Sequence, residues 1–465
     1  MCALYKDEHR NYCTYCLIES KLYILGIFNE LYGSLHEYMR ENNIMLLSET
    51  SEMLAGIIDG SDTPFIYEKV GTRFNNLMLD EFQDTSVMQW NNFRPLFKNS
   101  IDEGHDNLIV GDVKQSIYRW RGSDWNTLDS GIQKDFEESQ LDFSLGEHQR
   151  NWRSDEVIVN FNSSFFKSCG EILTEEKISA IYDGAEQATC SNGKGYVRVE
   201  FIHQEKREDL AKESLEKMLQ AVGKLESAGH PLETITVLVR FNEDAGLVAR
   251  TLIMAGYQVI TEESLLISAS TKVQQIIALL KSMNDDNDAI SERLLKEFGL
   301  DLKQIEYDDS SIYSICEALI RNYHGEIEEG EVPYLNSFLD LVSEYSADHG
   351  ADLAGFIRWW DEVASAKKPI SAPDGQRAIR IITIHKSKGL DLDNVIIPFF
   401  SLSLSHNSQN QPYVWCSADL GFSRLSLVPV KHQKAMEHTT FAEDYAKEKL
   451  YTEIDAVNLA YVAFT

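Results

Sequence analysis

Positive charge is what this chain is short of: 43 Lys and Arg stand against 74 Asp and Glu, a formal net charge of −31. Phosphate contacts supply most non-specific nucleic-acid affinity. The balance therefore excludes a general electrostatic grip on a polyanion and confines any such site to a local basic strip. Cysteine is sparse as well, with seven in 465 residues. An odd number without framework spacing excludes a secreted disulfide scaffold and fits a reducing cytoplasm. Cys13 and Cys16 form a lone C-x-x-C, which without a second pair does not specify zinc. No apolar run approaches the roughly 18 residues of a membrane span, and the N-terminus lacks the basic region and long apolar core of a signal peptide. The expectation is a cytoplasmic chain with no membrane partner.

What is present is a globular composition, 43% hydrophobic, too long for one compact core. At a soft prior of about 150 residues per domain it divides into two to four. Residues 1–70 read as mainly helical, with Leu17, Leu22, Ile24, Leu25, Phe28 and Leu31 at three-to-four spacing. Two apolar runs that end abruptly in charge follow, at Leu77–Asp80 and Leu108–Asp112, and both read as buried parallel strands. Between them Asp84-Thr85-Ser86 can cap a helix that Pro95 is expected to disturb. Asp155 to Phe166 reads as a helix and Tyr196–Ile202, with its alternating Val197, Val199 and Phe201, as a half-solvated strand. A strand–helix–strand rhythm then runs from about Arg207 to Ile260, with parallel-strand signals again at Ala378–Ile384 and Asn394–Phe400. From Ser264 to about Ala372 helical segments alternate with acidic turns such as Asn284–Asp288. Ser401–Pro412 looks like a surface loop and Glu437–Phe464 like a long terminal helix.

The residues just past a parallel strand are where open α/β sheets hold ligands. Asp80 and Glu81 stand there, and adjacent acids can divide two tasks, one holding a divalent cation and the other accepting a proton from water. Gln83 and Asp84 can orient water or meet a neighbouring loop. The second strand end offers Gly111, Asp112, Lys114 and Gln115; a glutamine there can sense a terminal phosphate without adding charge. Tyr118, Arg119, Trp120 and Arg121 interleave aromatics with cations, a composition suited either to stacking on unpaired bases or to an aromatic packing helix. Lys114, Arg119 and Arg121, Arg150 and Arg153, and His385, Lys386 and Lys388 are the candidate basic strips. In Gln149–Ser154 an arginine can clamp a phosphate and Trp152 can cover a flat base. Thr383-Ile384-His385-Lys386-Ser387-Lys388-Gly389 follows a strand with hydroxyls, cations and a glycine suited to an oxyanion or a phosphodiester.

Taken in order, these stretches resemble the motifs of superfamily 1 DNA helicases of the UvrD/Rep group, and within it the AddA and RecB-type subunits of helicase-nucleases. Asp80-Glu81-Phe82-Gln83-Asp84-Thr85 resembles that group's Walker B motif, which implies Mg2+ binding and water activation by Asp80 and Glu81. Gly111 to Gly122 resembles the next motif, implying γ-phosphate sensing by Gln115 and contact with single-stranded DNA through Tyr118, Trp120 and Arg121. Asn151-Trp152-Arg153-Ser154 resembles Asn-Tyr-Arg-Ser, with Trp152 departing from the usual tyrosine; the resemblance implies adenine stacking by Trp152 and phosphate contact by Arg153. Thr383 to Asp391 resembles a motif that touches both DNA and nucleotide. This implies DNA contacts by Thr383, His385 and Lys386 and nucleotide contacts by Gly389 and Asp391, where Asp391 replaces the usual glutamate. Glu453 to Thr465 resembles the last motif.

The resemblance implies an α/β fold of two RecA-like parallel-sheet domains. The expected layout is 1–148 as the C-terminal part of the first, 149–263 with 373–465 as the second, and 264–372 as a helical insertion. It further implies ATP and Mg2+ as cofactors, single- and double-stranded DNA as partner, and a partner subunit of the kind found in AddAB or RecBCD-like complexes. No G-x-x-x-x-G-K-[ST] loop precedes the first strand, and Thr465 stands where the family's motif would go on to an arginine. A segment of a longer helicase, inactive as an ATPase on its own, accounts for both. The alternatives left open are a non-catalytic DNA-binding or scaffold subunit that retains the fold, and a nuclease using Asp80 and Glu81 as metal ligands.

Overall fold

The computed structural model describes residues 2–58, 71–136, 150–172, 186–191, 195–204, 206–261, 266–284, 311–321, 331–350, 352–365, 377–401, 403–406, 411–418 and 425–465, together with Ser179, Ile181, Tyr182, Gly193 and Arg293. Its contacts divide the chain into two compact units, 1–200 with 401–465, and 201–400. The expected boundaries at 148/149, 263/264 and 372/373 lie outside the described residues, as do Gln149 and the acidic Asp285–Asp288. The contact division is a different cut from the expected one, because it sets residues 149–200 and 401–465 with the first unit.

The first unit begins with α1 (Cys2–Glu19), α2 (Leu22–Asn42) and α3 (Leu47–Ile58), as the helical spacing predicts. The two charged-ended runs form β1 (Met78–Leu79), then, after α4 (Val87–Asp102), β2 (Leu108–Ile109). They pair in parallel, Met78 beside Leu108 and Leu79 beside Ile109. Ser86 starts α4 through a reciprocal capping box with Gln89. Pro95 does not disturb this helix as expected: it runs on to Asp102. Trp90 and Phe97 flank the proline and are both buried, Trp90 packing edge-on against Phe82 at 5.1 Å, so packing on either side outweighs one lost hydrogen bond. Next come β3 (Arg150–Asn151), α5 (Glu156–Ile172) and β4 (Ala188–Thr189), with β3 and β4 parallel. Tyr196–Ile202 is not the expected strand. It forms no ladder among the described residues and leaves Tyr196 and Phe201 exposed; alternation alone does not make a strand where no neighbour meets the backbone hydrogen bonds.

The second unit follows the expected rhythm: α6 (Arg207–Ser227), β5 (Ile235–Val239), α7 (Asn242–Met254) and β6 (Val259–Ile260). Gly229 and Gly256, both at φ +90°, turn the chain after α6 and α7. Helices α8 (Thr271–Asn284), α9 (Ile312–Arg321), α10 (Val332–His349) and α11 (Leu353–Trp359) share their own core around Phe338, Tyr345, Phe356 and Trp360. The sheet is completed by β7 (Ile379–Thr383), which leads into the short helix α12 (Ile384–Ser387), and by β8 (Asn394–Ile396). All four strands are parallel in the order β6-β7-β5-β8. Every residue of β5 is buried, its Ile, Leu and Val side chains each contributing roughly 1.5–3 kcal/mol over an exposed position. Strand β8 is shorter than the expected Asn394–Phe400, since Pro398 offers no N–H to a ladder.

Returning to the first unit, β9 (Tyr413–Ser417) and β10 (Leu427–Lys431) pair antiparallel and share a core with Ile18 of α1. The terminal helix α13 (Ala442–Phe464) starts later than the expected Glu437 because a separate turn at Lys434–His438 precedes it, closed by the buried Thr439 and Phe441. Along α13, Ile454, Val457, Ala460 and Tyr461 pack with Trp125, Phe166 and Tyr182.

Candidate functional site

The short ladder of β1 and β2 continues past its ends. Val110 N–H donates to the Leu79 carbonyl at 2.8 Å and Phe82 N–H to the Val110 carbonyl at 3.0 Å, so Asp80 and Glu81 lie beside Gly111 and Asp112. Glu81 sits at φ +52°, a left-handed conformation that an ordinary side chain adopts at a cost of about 1–2 kcal/mol. Its N–H is held by Asp80 Oδ1 at 2.8 Å, and its Oε2 accepts from the Gln83 amide at 2.6 Å. Gln83, buried, also accepts from the Asp112 N–H at 3.0 Å, so one glutamine spans both strand ends.

Asp112 organises the loop that follows. It caps the Lys114 N–H at 3.0 Å, pairs with the Lys114 ammonium at 2.7 Å and accepts from the Gln115 amide at 3.3 Å. Lys114 also lies over the Tyr461 ring, 5.4 Å from its centroid. Burial, and then the nearby Asp112 carboxylate, push the Tyr461 phenol well above its ordinary range. The far side of the loop rests on Asn458 of α13, whose amide donates to the carbonyls of Val113 at 3.1 Å and Ser116 at 3.0 Å while its oxygen accepts from the Tyr182 hydroxyl.

Beyond Ile117 the loop turns outward. Trp120 is 68% exposed, its ring 6.1 Å from that of Tyr118, and the Arg121 guanidinium lies 4.5 Å from the Trp120 ring centre and 5.1 Å from that of Tyr118. An exposed aromatic backed by a cation is a face on which a flat base can stack. Arg119 and Lys114 do not belong to a basic strip as expected. Both are matched by acids, Lys114 by Asp112 and Arg119 by Glu448 and Asp455. Burial disfavours the Arg119 charge, but hydrogen bonds to Glu448 and the charge of Asp455 outweigh it and hold the guanidinium protonated. The two acids respond in opposite directions. Burial opposes ionisation of Glu448, yet its paired bonds to Arg119 bring it below the usual carboxylate range. At Asp455, with one such bond, burial wins and the carboxyl is raised.

Trp152 is 78% exposed, next to a turn in which Asn151 Oδ1 accepts from the N–H groups of Arg153 and Ser154. The Arg153 guanidinium donates to the Thr465 carbonyl at 3.0 Å. Asp80, Glu81 and Gln115 are thus gathered through Gln83 and Asp112, with Tyr118, Trp120 and Arg121 at the end of the same loop. The remaining expected residues belong to the second unit. Thr383 closes β7, His385 and Lys386 lie on α12, Gly389 turns at φ +80°, and Asp391 follows. The His385 ring lies 3.4 Å from the Arg240 guanidinium, which follows the carboxyl end of β5. Sequence reasoning passed over Arg240 and Glu448, since nothing in their local pattern separates them from ordinary helix and strand-end polarity, and it gave Asn458, which lies within the Glu453–Thr465 stretch, no role of its own. Among the described residues no group of three or more His, Cys, Asp or Glu is placed to hold a metal ion, and no helix is long and apolar enough to cross a membrane.

Two family models match: the UvrD/REP helicase N-terminal domain over residues 18–137 and the UvrD-like helicase C-terminal domain over 147–350. Among curated proteins, the chain is 24% identical over 430 residues to the RecBCD enzyme subunit RecB of Chlamydia pneumoniae, covering 84% of this chain and 40% of that protein. It is 23% identical to the RecB subunit of Haemophilus influenzae over 96% of the chain and 40% of the relative. It is 21% identical to the ATP-dependent helicase/nuclease A subunit of Lactococcus lactis over 79% of the chain and 36% of the relative. The chain therefore spans about two fifths of the length of the relatives it matches.

Proposed function

Because the chain belongs to the UvrD/Rep helicase family, with relatives among RecB and helicase/nuclease A subunits, we propose that it is the central part of an ATP-dependent DNA helicase that translocates on single-stranded DNA in recombination and repair. The observation that carries this reading is the Gln83 bridge, which joins an acid pair to a loop bearing both Gln115 and an exposed aromatic platform. Asp80 and Glu81 suit magnesium, a hard ion that takes one or two carboxylates and fills its remaining positions with phosphate oxygens and water. Bound there, the ion supplies charge neutralisation on the transferring phosphate. Glu81 accepts the proton of the attacking water while Gln83 fixes its carboxylate, and Gln115 reports the terminal phosphate. Trp152 covers the adenine and Arg153 the phosphates. Tyr118, Trp120 and Arg121 hold unpaired bases, and Thr383, His385 and Lys386 the strand backbone, with Gly389 and Asp391 on the nucleotide side.

The relatives are named as subunits and, in part, as nucleases, which supports a nuclease activity and a partner subunit for the whole protein; a cytoplasmic location and a layout of two RecA-like domains with a helical insertion belong to the same proposal. The 465 residues contain no phosphate-cradling G-x-x-x-x-G-K-[ST] loop, so the chain alone binds strand but does not turn over ATP. One titration tests both halves, using a labelled oligonucleotide followed by anisotropy, with phosphate release measured in the same samples. Trp120→Ala should weaken binding about fivefold or more, within the range of one base stack. Binding indifferent to Trp120, or Mg2+-dependent release abolished by Glu81→Gln, refutes the corresponding half.

A further inference from the structure

Arg119 stands between Tyr118 and Trp120 in sequence but points the other way. Its Nε donates to Asp455 Oδ2 at 2.7 Å, Nη1 to Glu448 Oε2 at 2.8 Å and Nη2 to Glu448 Oε1 at 3.1 Å, and its guanidinium lies 5.4 Å from the Tyr451 ring centre. A planar fork held by two carboxylates and a ring has its direction fixed, and charge-assisted bidentate pairs are the strong kind. The turn Arg119–Arg121 then has one orientation, with Arg119 inward on α13 and Trp120 outward. Glu448 is itself braced. The Thr452 hydroxyl spends its proton on the Glu448 carbonyl at 2.8 Å, so its oxygen accepts from His406 Nε2–H at 2.7 Å. That assignment makes His406 a donor to Glu448 Oε1 at 2.9 Å as well.

We propose that Arg119 is a positioning residue: through Glu448, braced by His406, and through Asp455, it locks the Tyr118–Trp120–Arg121 platform onto α13, and it does not touch the strand. The inference rests on the single-strand reading above and names what holds that platform in its binding orientation. It also separates two arginines two positions apart, Arg119 facing protein and Arg121 facing the strand.

Glu448→Gln is the informative variant because two readings give opposite signs. Removing a negative charge from a chain of net −31 should tighten strand binding if charge alone matters. The clamp requires binding about three- to tenfold weaker, a part of one base stack. It also requires faster amide exchange across residues 116–122 in the free chain, measured by mass spectrometry without DNA. Arg119→Lys keeps the charge, loses the fork and should move both readouts in the same direction by less. Arg119→Ala should weaken binding while leaving the salt dependence unchanged.

Unchanged exchange at 116–122 overturns the proposal, as does tighter binding by Glu448→Gln. A salt slope reduced by roughly 0.7, the loss of one single-strand phosphate contact, shows Arg119 on the strand and also overturns it. A lowered unfolding midpoint with neither exchange nor folded-state affinity altered reduces Arg119 to a structural role and overturns it likewise. Trp120→Ala run alongside keeps the two levels apart: if it leaves binding intact the platform reading fails, and the clamp is decided by exchange alone.

Discussion

A methyl group at Gly111 would displace its neighbours. A Cβ built there lies 2.8 Å from Gln83 Oε1 and 2.9 Å from Leu128 Cδ2, with the Gln83 backbone nitrogen at 3.3 Å. Glycine is present so that the second strand end can approach the glutamine that holds Glu81, since a Cβ would have to displace the ends of two side chains and crowd one backbone nitrogen. Gly111→Ala should therefore cost roughly 1–3 kcal/mol in urea unfolding, the range for overpacking a tight site. A cost under about 0.5 kcal/mol would mean that Gln83 moves aside easily and fixes nothing. The left-handed Glu81 belongs to the same arrangement, a strained residue kept in place by two side chains.

Between elements, the join with most at stake is Asn458 on α13, nearly fully buried and bonded to two loop carbonyls and one tyrosine hydroxyl. Asn458→Ala leaves those carbonyls without their partner, so about 2–4 kcal/mol of stability should be lost in chemical denaturation, beyond what one exposed hydrogen bond contributes. A loss below about 1 kcal/mol would show that the loop finds other partners. This join also marks where sequence reading stopped. The two strand ends were legible because buried parallel strands leave unbroken apolar runs, and β5 and α6 because period and length agree. Tyr196–Ile202 misled because alternation reports a face, not a neighbour to pair with. Pro95 misled because a local rule was overruled by Trp90 and Phe97, whose burial depends on the tertiary packing. Helix α13 was visible as a helix, but Arg119 lies more than 300 residues away, and no local pattern says which of its acids meets it.

At the scale of the whole molecule, buried phenols set an alkaline limit. The Tyr451 hydroxyl is pushed up to about 12 by burial and then by Asp124, and burial carries Tyr182 and Tyr461 higher still. Below the ordinary value of 10.0 both folded and unfolded chains keep these protons. Above it only the unfolded chain ionises, so stability is lost as pH rises from about 10 through about 12. Urea midpoints across that window should fall, with phenolate absorbance lagging until unfolding; early phenolate absorbance from a still-folded chain with an unmoved midpoint would contradict the burial. On the acid side Glu448 and Asp455 shift in opposite senses and partly offset each other. Mechanically, α13 is a beam. Its 23 residues span about 34 Å, seated near Phe441 in the core of the β9–β10 hairpin, gripping Arg119 midway and carrying Asn458 toward the far end. A helix shortens far less under load than a loop of equal reach. A displacement imposed on the hairpin would therefore reach the Val113–Ser116 turn through a helix rather than through a loop.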